Sequence, residues 1–413
     1  MKTSKRLEGI GEYYFSQKLR EIDELNRQGK NIINLGIGSP DRPPHPDVIR
    51  VLQEESAKPN VHAYQSYKGS PLLRQAVAAW YGQWYGVDLD PDTEILPLIG
   101  SKEGIMHICM TYLDEGDGAL VPNPGYPTYR SAVKLAGGHC IDYTLSGDKG
   151  WKPDFEELER LVAAGAHGLA GTDTGAVGTG AVAGAAGAAG GRIKLMWVNY
   201  PHMPTGQLPD KELFEKLVAF GRKHDILICH DNPYSFILND SPMSLLSVQG
   251  AKDIVIELNS LSKSQNMAGW RVGTLVGAKQ RIDEVLRFKS NMDSGMFLPV
   301  QLAAAKALSL GKDWYDSVNA VYRARRGKVF DLLELLDCEF GRDQVGMFVW
   351  AAIPAAYKDG YALSDRVLHE AGVFITPGGI FGPAGEKYVR VSLCSTEEKL
   401  QESIGRIRGA GIC

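Results

Sequence analysis

The sequence lacks long apolar segments, paired cysteines and an excess of charge of either sign. No apolar run in its 413 residues approaches the roughly 18 that a bilayer crossing needs, which excludes a transmembrane helix. Six cysteines are scattered without a C-x-x-C pair, a pattern that favours reduced thiols over a zinc site or a disulfide framework. The formal net charge is −4, from 45 basic and 49 acidic residues, so no nucleic-acid or anionic-membrane partner is expected.

No secretory signal peptide is expected at the N-terminus. The first residues, MKTSKRLEGIGEYYF, carry basic side chains but no apolar stretch behind them. With the unpaired thiols, this predicts a cytoplasmic protein. The chain is 44% hydrophobic and 23% charged, which is ordinary globular composition with enough apolar content for a sizeable core.

Strand-like and helix-like segments alternate over the first two thirds of the chain. The expected strands lie at 93–98, 119–122, 194–199, 226–230, 254–258 and 272–276, and the expected helices include 102–113, 210–224 and 281–290. This alternation of short apolar runs and amphipathic stretches predicts an α/β domain with a largely parallel sheet covered on both faces.

The pattern changes after residue 290. A long helix is expected at 312–336, and strands follow at 347–352, 373–376 and 388–392. This order predicts a smaller α+β domain, and the first 45 residues are expected to pack with it because the α/β alternation begins only later. The predicted division is 46–290 for the large domain, and 1–45 with 291–413 for the small one.

One segment, 163–191, does not fit the large domain. Of its 29 residues, 11 are alanine and 10 are glycine, and Asp173 is the only charged one. It has almost no large side chain to bury, so burial cannot offset its ordering entropy. The composition predicts a flexible surface insertion, with a functional lid as the alternative.

The segment 259–271, NSLSKSQNMAGWR, holds the densest set of reactive side chains. Lys263 follows an apolar strand, has serines on both sides, and precedes Arg271 by eight residues. Its amine could form a Schiff base with an aldehyde cofactor, while Ser260 and Arg271 hold a phosphate. The alternative is a polar loop with an ordinary surface lysine.

A carboxylate lies about thirty residues upstream, in ILICHDNPY. Asp231 ends a buried strand, where open α/β sheets bind ligands. Burying its charge is costly without a cationic partner, and a protonated pyridine nitrogen is such a partner. Tyr234 could donate to a ring hydroxyl. The alternative is an aspartate that only caps the next turn.

Two further segments place polar or aromatic groups at the starts of helices. In LIGSKEG, Ser101 follows a strand, and the free amides at the start of the next helix would suit a phosphate. A serine that only caps the helix is the alternative. In PNPGYPTY, Tyr126 could stack on an aromatic ring, or could simply pack in the core.

Taken together, these segments resemble a known family. The matching motifs, in the family's order, are LGIGSPD, AYQSYKGSPLLRQAV, GSKEG, PNPGYPTY, PHMPTG, HDNPY, SLSKSQNMAGWRVG and PGGIFGPAGEKYVRVS. They span residues 35 to 392 and resemble the class I/II aminotransferases, pyridoxal-phosphate (PLP) enzymes of fold type I. The set is most similar to the branch with LL-diaminopimelate, kynurenine and alanine aminotransferases. The resemblance implies a mostly parallel seven-stranded sheet in the large domain.

The resemblance implies cofactor roles for the matched positions. Lys263 would be the Schiff-base lysine and the proton shuttle. Asp231 would keep the pyridine nitrogen protonated, Tyr234 would hydrogen-bond the ring's 3-oxygen, and Tyr126 would stack on the ring. The phosphate would be bound by Ser101, Lys102, Ser260 and Arg271. Tyr64 resembles the tyrosine that reaches the phosphate of the partner subunit's cofactor, which implies a homodimer.

Substrate contacts are implied in the same way. Arg390 in YVRVS resembles the arginine that grips the substrate α-carboxylate bidentately. Gly38 would bring backbone close to that carboxylate. Tyr13 lies where relatives of the diaminopimelate type place a tyrosine that contacts the substrate.

One motif departs from the family. Where the family usually has Asn-Pro-Thr-Gly, this chain has methionine at position 203, and a thioether cannot donate the hydrogen bond that the asparagine gives the 3-oxygen. Either Asn199 reaches in, or Tyr234 acts alone. We interpret the change as a tuning of the cofactor rather than a loss of function.

The expected reaction moves the amino group of an L-amino acid to a 2-oxo acid. The lysine acts as general base at the substrate Cα, and the cofactor accepts the electrons. The alternatives are a PLP-dependent C–S lyase that carries out β-elimination, and a PLP-binding protein without turnover. The identities of the amino donor and acceptor stay open.

Overall fold

The computed structural model describes residues 1–8, 10–12, 14–165 and 191–412. In chain order its strands are β1 (Ile33–Asn34), β2 (Ile95–Leu98), β3 (Gly118–Asn123), β4 (His139–Thr144), β5 (Ile193–Val198), β6 (Leu227–Asp231), β7 (Val255–Ser260), β8 (Gly273–Gly277), β9 (Phe348–Ala352), β10 (Val373–Phe374), β11 (Thr376–Pro377) and β12 (Tyr388–Ser392).

The α-helices of the same residues follow the predicted alternation. They are α1 (Tyr14–Arg27), α2 (Pro46–Ser56), α3 (Pro71–Tyr85), α4 (Ser101–Tyr112), α5 (Pro127–Leu135), α6 (Phe155–Gly165), α7 (Lys211–His224), α8 (Leu261–Ser264), α9 (Lys279–Lys289), α10 (Leu298–Leu308), α11 (Lys312–Leu335), α12 (Gly360–Ala371) and α13 (Glu397–Gly409). Each helix is too short or too polar to cross a bilayer, a statement limited to the described residues. The cytoplasmic location stays a prediction.

A seven-stranded sheet forms the centre of the large domain, with the order β2-β8-β7-β6-β5-β3-β4. β8 runs antiparallel to both of its neighbours, and the other pairs are parallel. The predicted α/β fold with a mostly parallel sheet is confirmed. Every residue of β3, β6, β7 and β8 is buried, since apolar clusters cover both faces.

The second part of the chain forms two small sheets. β11, β12 and β9 make an antiparallel sheet, and β1 pairs in parallel with β10. The single strand predicted at 373–376 is therefore two short strands in different sheets. The N-terminal segment packs here, with Ile22 against Leu368 and Phe374. α10 packs instead on α2 and α3, and the division at residues 45 and 290 stays a prediction.

The topology gathers polar residues at one edge of the large sheet. β6 ends at Asp231, β7 ends at Ser260, and β5 is followed directly by Asn199. The carboxyl ends of parallel strands lie at the same edge, and ligands bind in the crevice outside that edge. α4 starts shortly after β2 at this edge, and α8, which carries Lys263, follows β7.

Candidate active site

A cavity of about 520 Å³ opens at this edge between the large sheet and the second part of the chain. Its walls include the predicted site residues Gly38, Ser101, Lys102, Tyr126, Asn199, Asp231, Tyr234, Ser260, Lys263, Arg271 and Arg390. Residues from positions 38 to 390 thus meet in one place. The volume is within the usual range for a site that holds a cofactor with a small substrate.

Lys263 points its amine into the cavity from the short helix α8. The helix is started by Ser260, whose hydroxyl accepts a hydrogen bond from the Ser262 amide. The Nζ of Lys263 donates to the Gly38 carbonyl over 2.6 Å. Burial lowers the pKa of Lys263, and Arg390 and Arg271 lower it further. A lowered pKa raises the share of the neutral amine, which is the nucleophilic and basic form.

Asp231 uses only one of its two carboxylate oxygens within the described chain. Oδ2 accepts a hydrogen bond from the hydroxyl of Tyr129 over 2.8 Å. Oδ1 is buried and has no hydrogen-bond partner among the described residues. Burial raises the pKa of Asp231 to about 6, against the opposing effect of the Tyr129 hydrogen bond. A cationic N–H donor in the cavity would satisfy Oδ1 and hold the carboxylate ionised.

The start of α4 forms an anion-binding end of the cavity. Ser101 and Lys102 are its first residues, so their backbone amides have no acceptor within the helix. Gly100 has φ +83°, and a Cβ there would lie 2.0 Å from Nη2 of Arg271. The glycine therefore lets the guanidinium lie against the helix start. Burial lowers the pKa of Lys102, and Arg271 contributes to the shift.

Two tyrosines form walls beside these groups. Tyr126 directly precedes α5, and its ring lies edge-on to Tyr129 with centroids 5.5 Å apart. Tyr234 follows β6, and its ring centroid lies 6.0 Å from that of Phe348. Burial raises the pKa of Tyr234, so its hydroxyl is a donor at neutral pH.

Arg390 approaches from β12 on the opposite wall. Its Nη2 donates to the Gly36 carbonyl over 2.8 Å, and Nη1 lies 3.3 Å from the sulfur of Met203. The guanidinium carbon lies 3.8 Å from the ring centroid of Phe348 and 4.6 Å from that of Phe381. Contact with these two rings restricts the movement of the guanidinium, which favours bidentate binding of a carboxylate.

These groups fit a planar, phosphorylated, nitrogen-containing cofactor: an amine, a carboxylate oxygen without a partner, and an anion-binding helix start. The sequence model of the family "Aminotransferase class I and II" matches residues 30–407. The chain belongs to this family. Its members use pyridoxal phosphate, so this aminotransferase is a PLP enzyme.

Two curated relatives match this aminotransferase over nearly its full length. The LL-diaminopimelate aminotransferase of Dehalococcoides mccartyi strain BAV1 is 37% identical over 99% of both chains, and that of Moorella thermoacetica is 38% identical over 99% of this chain and 98% of its own. Among solved structures, substrate-bound BacF of Bacillus subtilis is similar with a TM-score of 0.88 and 33% identity, covering 99% of this chain and 98% of its own.

Asn199, one of the two candidate donors to the ring's 3-oxygen, is held by backbone groups at both ends of its side-chain amide. The Nδ2 of Asn199 donates to the Asp231 carbonyl over 2.5 Å, and its Oδ1 accepts from the Met203 amide over 2.8 Å. These bonds link the end of β6 to the Met203 backbone. The Asn199 amide nitrogen has a second N–H, so Asn199 and Tyr234 both stay candidate donors to the ring oxygen.

Three predictions fall elsewhere. The side chain of Tyr64 is 93% exposed and is not part of its own chain's cavity wall. Tyr13 lies outside the described residues, as does 166–190, which is most of the Ala/Gly-rich segment. The proposed roles of that segment stay predictions.

Tyr129 is a site residue that the sequence analysis missed. It lies three residues after Tyr126 in PNPGYPTY, a spacing that can bring two side chains to one end of a helix. That spacing was the available signal, but α5 begins between the two residues, so the direction of each ring depends on the packing of α5. Tyr129 stacks on Trp197 at 5.0 Å, which aims its hydroxyl at Asp231.

Proposed function

We propose that this aminotransferase transfers the amino group of an L-amino acid to a 2-oxo acid with Lys263 as both the cofactor-bearing amine and the proton carrier. The observation that carries the proposal is the shared cavity of the Lys263 amine and the unpartnered Asp231 Oδ1. When bound, PLP supplies a sink for the electrons that proton removal leaves at the substrate Cα. The lowered pKa of Lys263 suits a group that must accept that proton.

The other side chains hold and orient the reactants. With the cofactor bound, Asp231 would keep the ring nitrogen protonated, Tyr234 or Asn199 would donate to the ring oxygen, and Tyr126 would pack on the ring. Ser101, Lys102, Ser260 and Arg271 would bind the phosphate. Arg390 binds the α-carboxylate with its fork, and the backbone at Gly38 lies beside it. The hydrogen bond from Lys263 to the Gly38 carbonyl supports this closeness.

The active unit is a homodimer in which Tyr64 reaches the partner's phosphate site. Tyr64, Tyr67, Met292 and Phe297 are large and exposed. A bridge between Gln65 and Gly295 joins the two loops that carry them. A second copy of the chain would cover these apolar side chains and bring Tyr64 to a phosphate.

Borohydride reduction tests the role of Lys263 directly. The wild-type holoenzyme should keep cofactor mass on the peptide that contains Lys263 after reduction. Lys263→Ala should lose both that mass and turnover, while the surface control Lys216→Ala keeps both. The turnover products are measured as well: equal amounts of new amino acid and 2-oxo acid are expected. Release of ammonia and pyruvate instead would contradict amino-group transfer.

A further inference from the structure

The charged side chains on the described cavity wall already have partners or roles. They are Lys102, Asp231, Lys263, Arg271 and Arg390. Arg271 lies against the start of α4, on which Lys102 is the second residue, so these two belong to the phosphate end. Asp231 is assigned to the ring nitrogen, Lys263 provides the reacting amine, and Arg390 is assigned to the substrate α-carboxylate. On this chain's own described wall, the N-terminal segment lies beside Arg390 and Lys263 and has no such role, so it is free to receive a substrate side chain.

That wall is mostly apolar: among its described residues only Ser16 carries a polar side chain, and its hydroxyl donates to Oε1 of Glu12 over 2.8 Å. Phe15 and Leu19 both line the cavity from α1, where a spacing of four residues puts them on one face of the helix. Ile37 lies next to Gly38, whose carbonyl is 2.6 Å from the Lys263 amine. Phe15 also reaches the carboxylate-binding group, since its ring centroid lies 5.6 Å from the Arg390 guanidinium carbon. The apolar wall therefore begins beside both groups that would hold the substrate.

Leu19 keeps 37% of its surface exposed at the mouth of the cavity. We propose that the substrate side chain is apolar, either aromatic or branched aliphatic, and that it packs on Phe15, Leu19 and Ile37; this rests on the proposed function. Burying apolar surface there is favourable. A side chain ending in an ammonium and a carboxylate, as in diaminopimelate, would lose hydration against these three residues.

The donor half-reaction of the holoenzyme tests the proposal without a choice of acceptor. The bound cofactor's absorbance is followed after mixing with L-phenylalanine, L-leucine, L-alanine, L-glutamate or LL-diaminopimelate. We expect L-phenylalanine or L-leucine to react at least about 100-fold faster, per unit concentration, than the two charged donors. Equal or faster reaction of LL-diaminopimelate or L-glutamate would overturn the proposal.

A substitution locates the contact. Leu19→Ala should slow L-phenylalanine about 10-fold and leave L-alanine, whose methyl group is too short to reach α1, unchanged. Leu335→Ala, a change of the same kind on α11, should slow neither donor. An equal loss for both donors in Leu19→Ala would remove Leu19 from the pocket. A bound cofactor that responds to none of the donors would overturn the proposed function itself, and this inference with it.

Discussion

The hydroxyl of Tyr129 donates a hydrogen bond to Oδ2 of Asp231 over 2.8 Å, so α5 is tied to the end of β6 beneath the cavity. The bond leaves Oδ1 as the oxygen available to a ligand. It also opposes the pKa rise that burial imposes on Asp231. Tyr129 is therefore a positioning residue that directs one carboxylate oxygen and helps keep the group ionised.

Tyr129→Phe removes this hydrogen bond and keeps the ring that stacks on Trp197. We expect kcat to fall about 10-fold, the scale of one hydrogen bond to a charged group. The acidic limb of the kcat–pH profile should move to higher pH, because the pKa of Asp231 rises without its donor. The control is Tyr143→Phe, which removes a buried hydroxyl that donates to the Trp197 carbonyl. Identical acidic limbs in the two variants would contradict the assignment.

Asp231→Asn should stabilise the cofactor-free protein. The folded-state pKa of Asp231 is raised to about 6, so stability is lost as pH rises from the unfolded-state pKa to about 6, and the loss stays constant above that. A shift of about two units predicts a gain on the order of 2–3 kcal/mol at pH 8, smaller at pH 5. Urea unfolding of the wild type and Asp231→Asn at pH 5 and pH 8 measures this difference in the free energy of unfolding. An equal gain in stability at the two pH values would exclude titration of Asp231 as its cause.

Met203→Asn should lower the pH at which the bound cofactor's absorbance titrates. An amide N–H at this position could donate to the ring oxygen, which the thioether cannot do. Met203→Leu keeps an apolar side chain of similar size and should titrate like the wild type. Spectrophotometric titration of the three holoenzymes separates the hydrogen bond from simple packing. A shift that leucine also produces would point to packing.

Mixing two inactive variants tests whether Tyr64 acts across subunits. Tyr64→Ala and Lys263→Ala subunits, unfolded and refolded together at equal amounts, form hybrid dimers. If Tyr64 serves the partner, each hybrid contains one complete site, and about a quarter of wild-type activity returns at limiting cofactor. If Tyr64 serves its own chain, no complete site forms. Each variant refolded alone is the control.

The groups predicted best from the sequence are those that directly follow strands. Lys263, Asp231 and Ser101 come within a few residues of buried strand ends, and the carboxyl ends of a parallel sheet meet at one edge. Local sequence is enough to place them. The edge strand β4 was missed because its ends are exposed and its apolar run is short.

Contacts between distant segments could not be predicted in the same way. Arg390 and Met203 are 187 positions apart, yet their side chains meet. The N-terminal wall residues Phe15 and Leu19 depend on how α1 docks on the second part of the chain. Such contacts are set by tertiary packing, and neither spacing nor composition encodes the distance between two side chains.

The guanidinium groups of Arg271 and Arg390 share the described cavity wall with a single carboxylate, and their charge acts well beyond contact range. A cavity with this imbalance of charge attracts multiply charged anions through solvent over roughly a Debye length, about 10 Å at moderate salt. Capture of the phosphorylated cofactor therefore starts before any hydrogen bond forms. The rate of cofactor association should therefore decrease as ionic strength rises. The charges that bind the phosphate and the substrate carboxylate in the complex first attract the anion from solution.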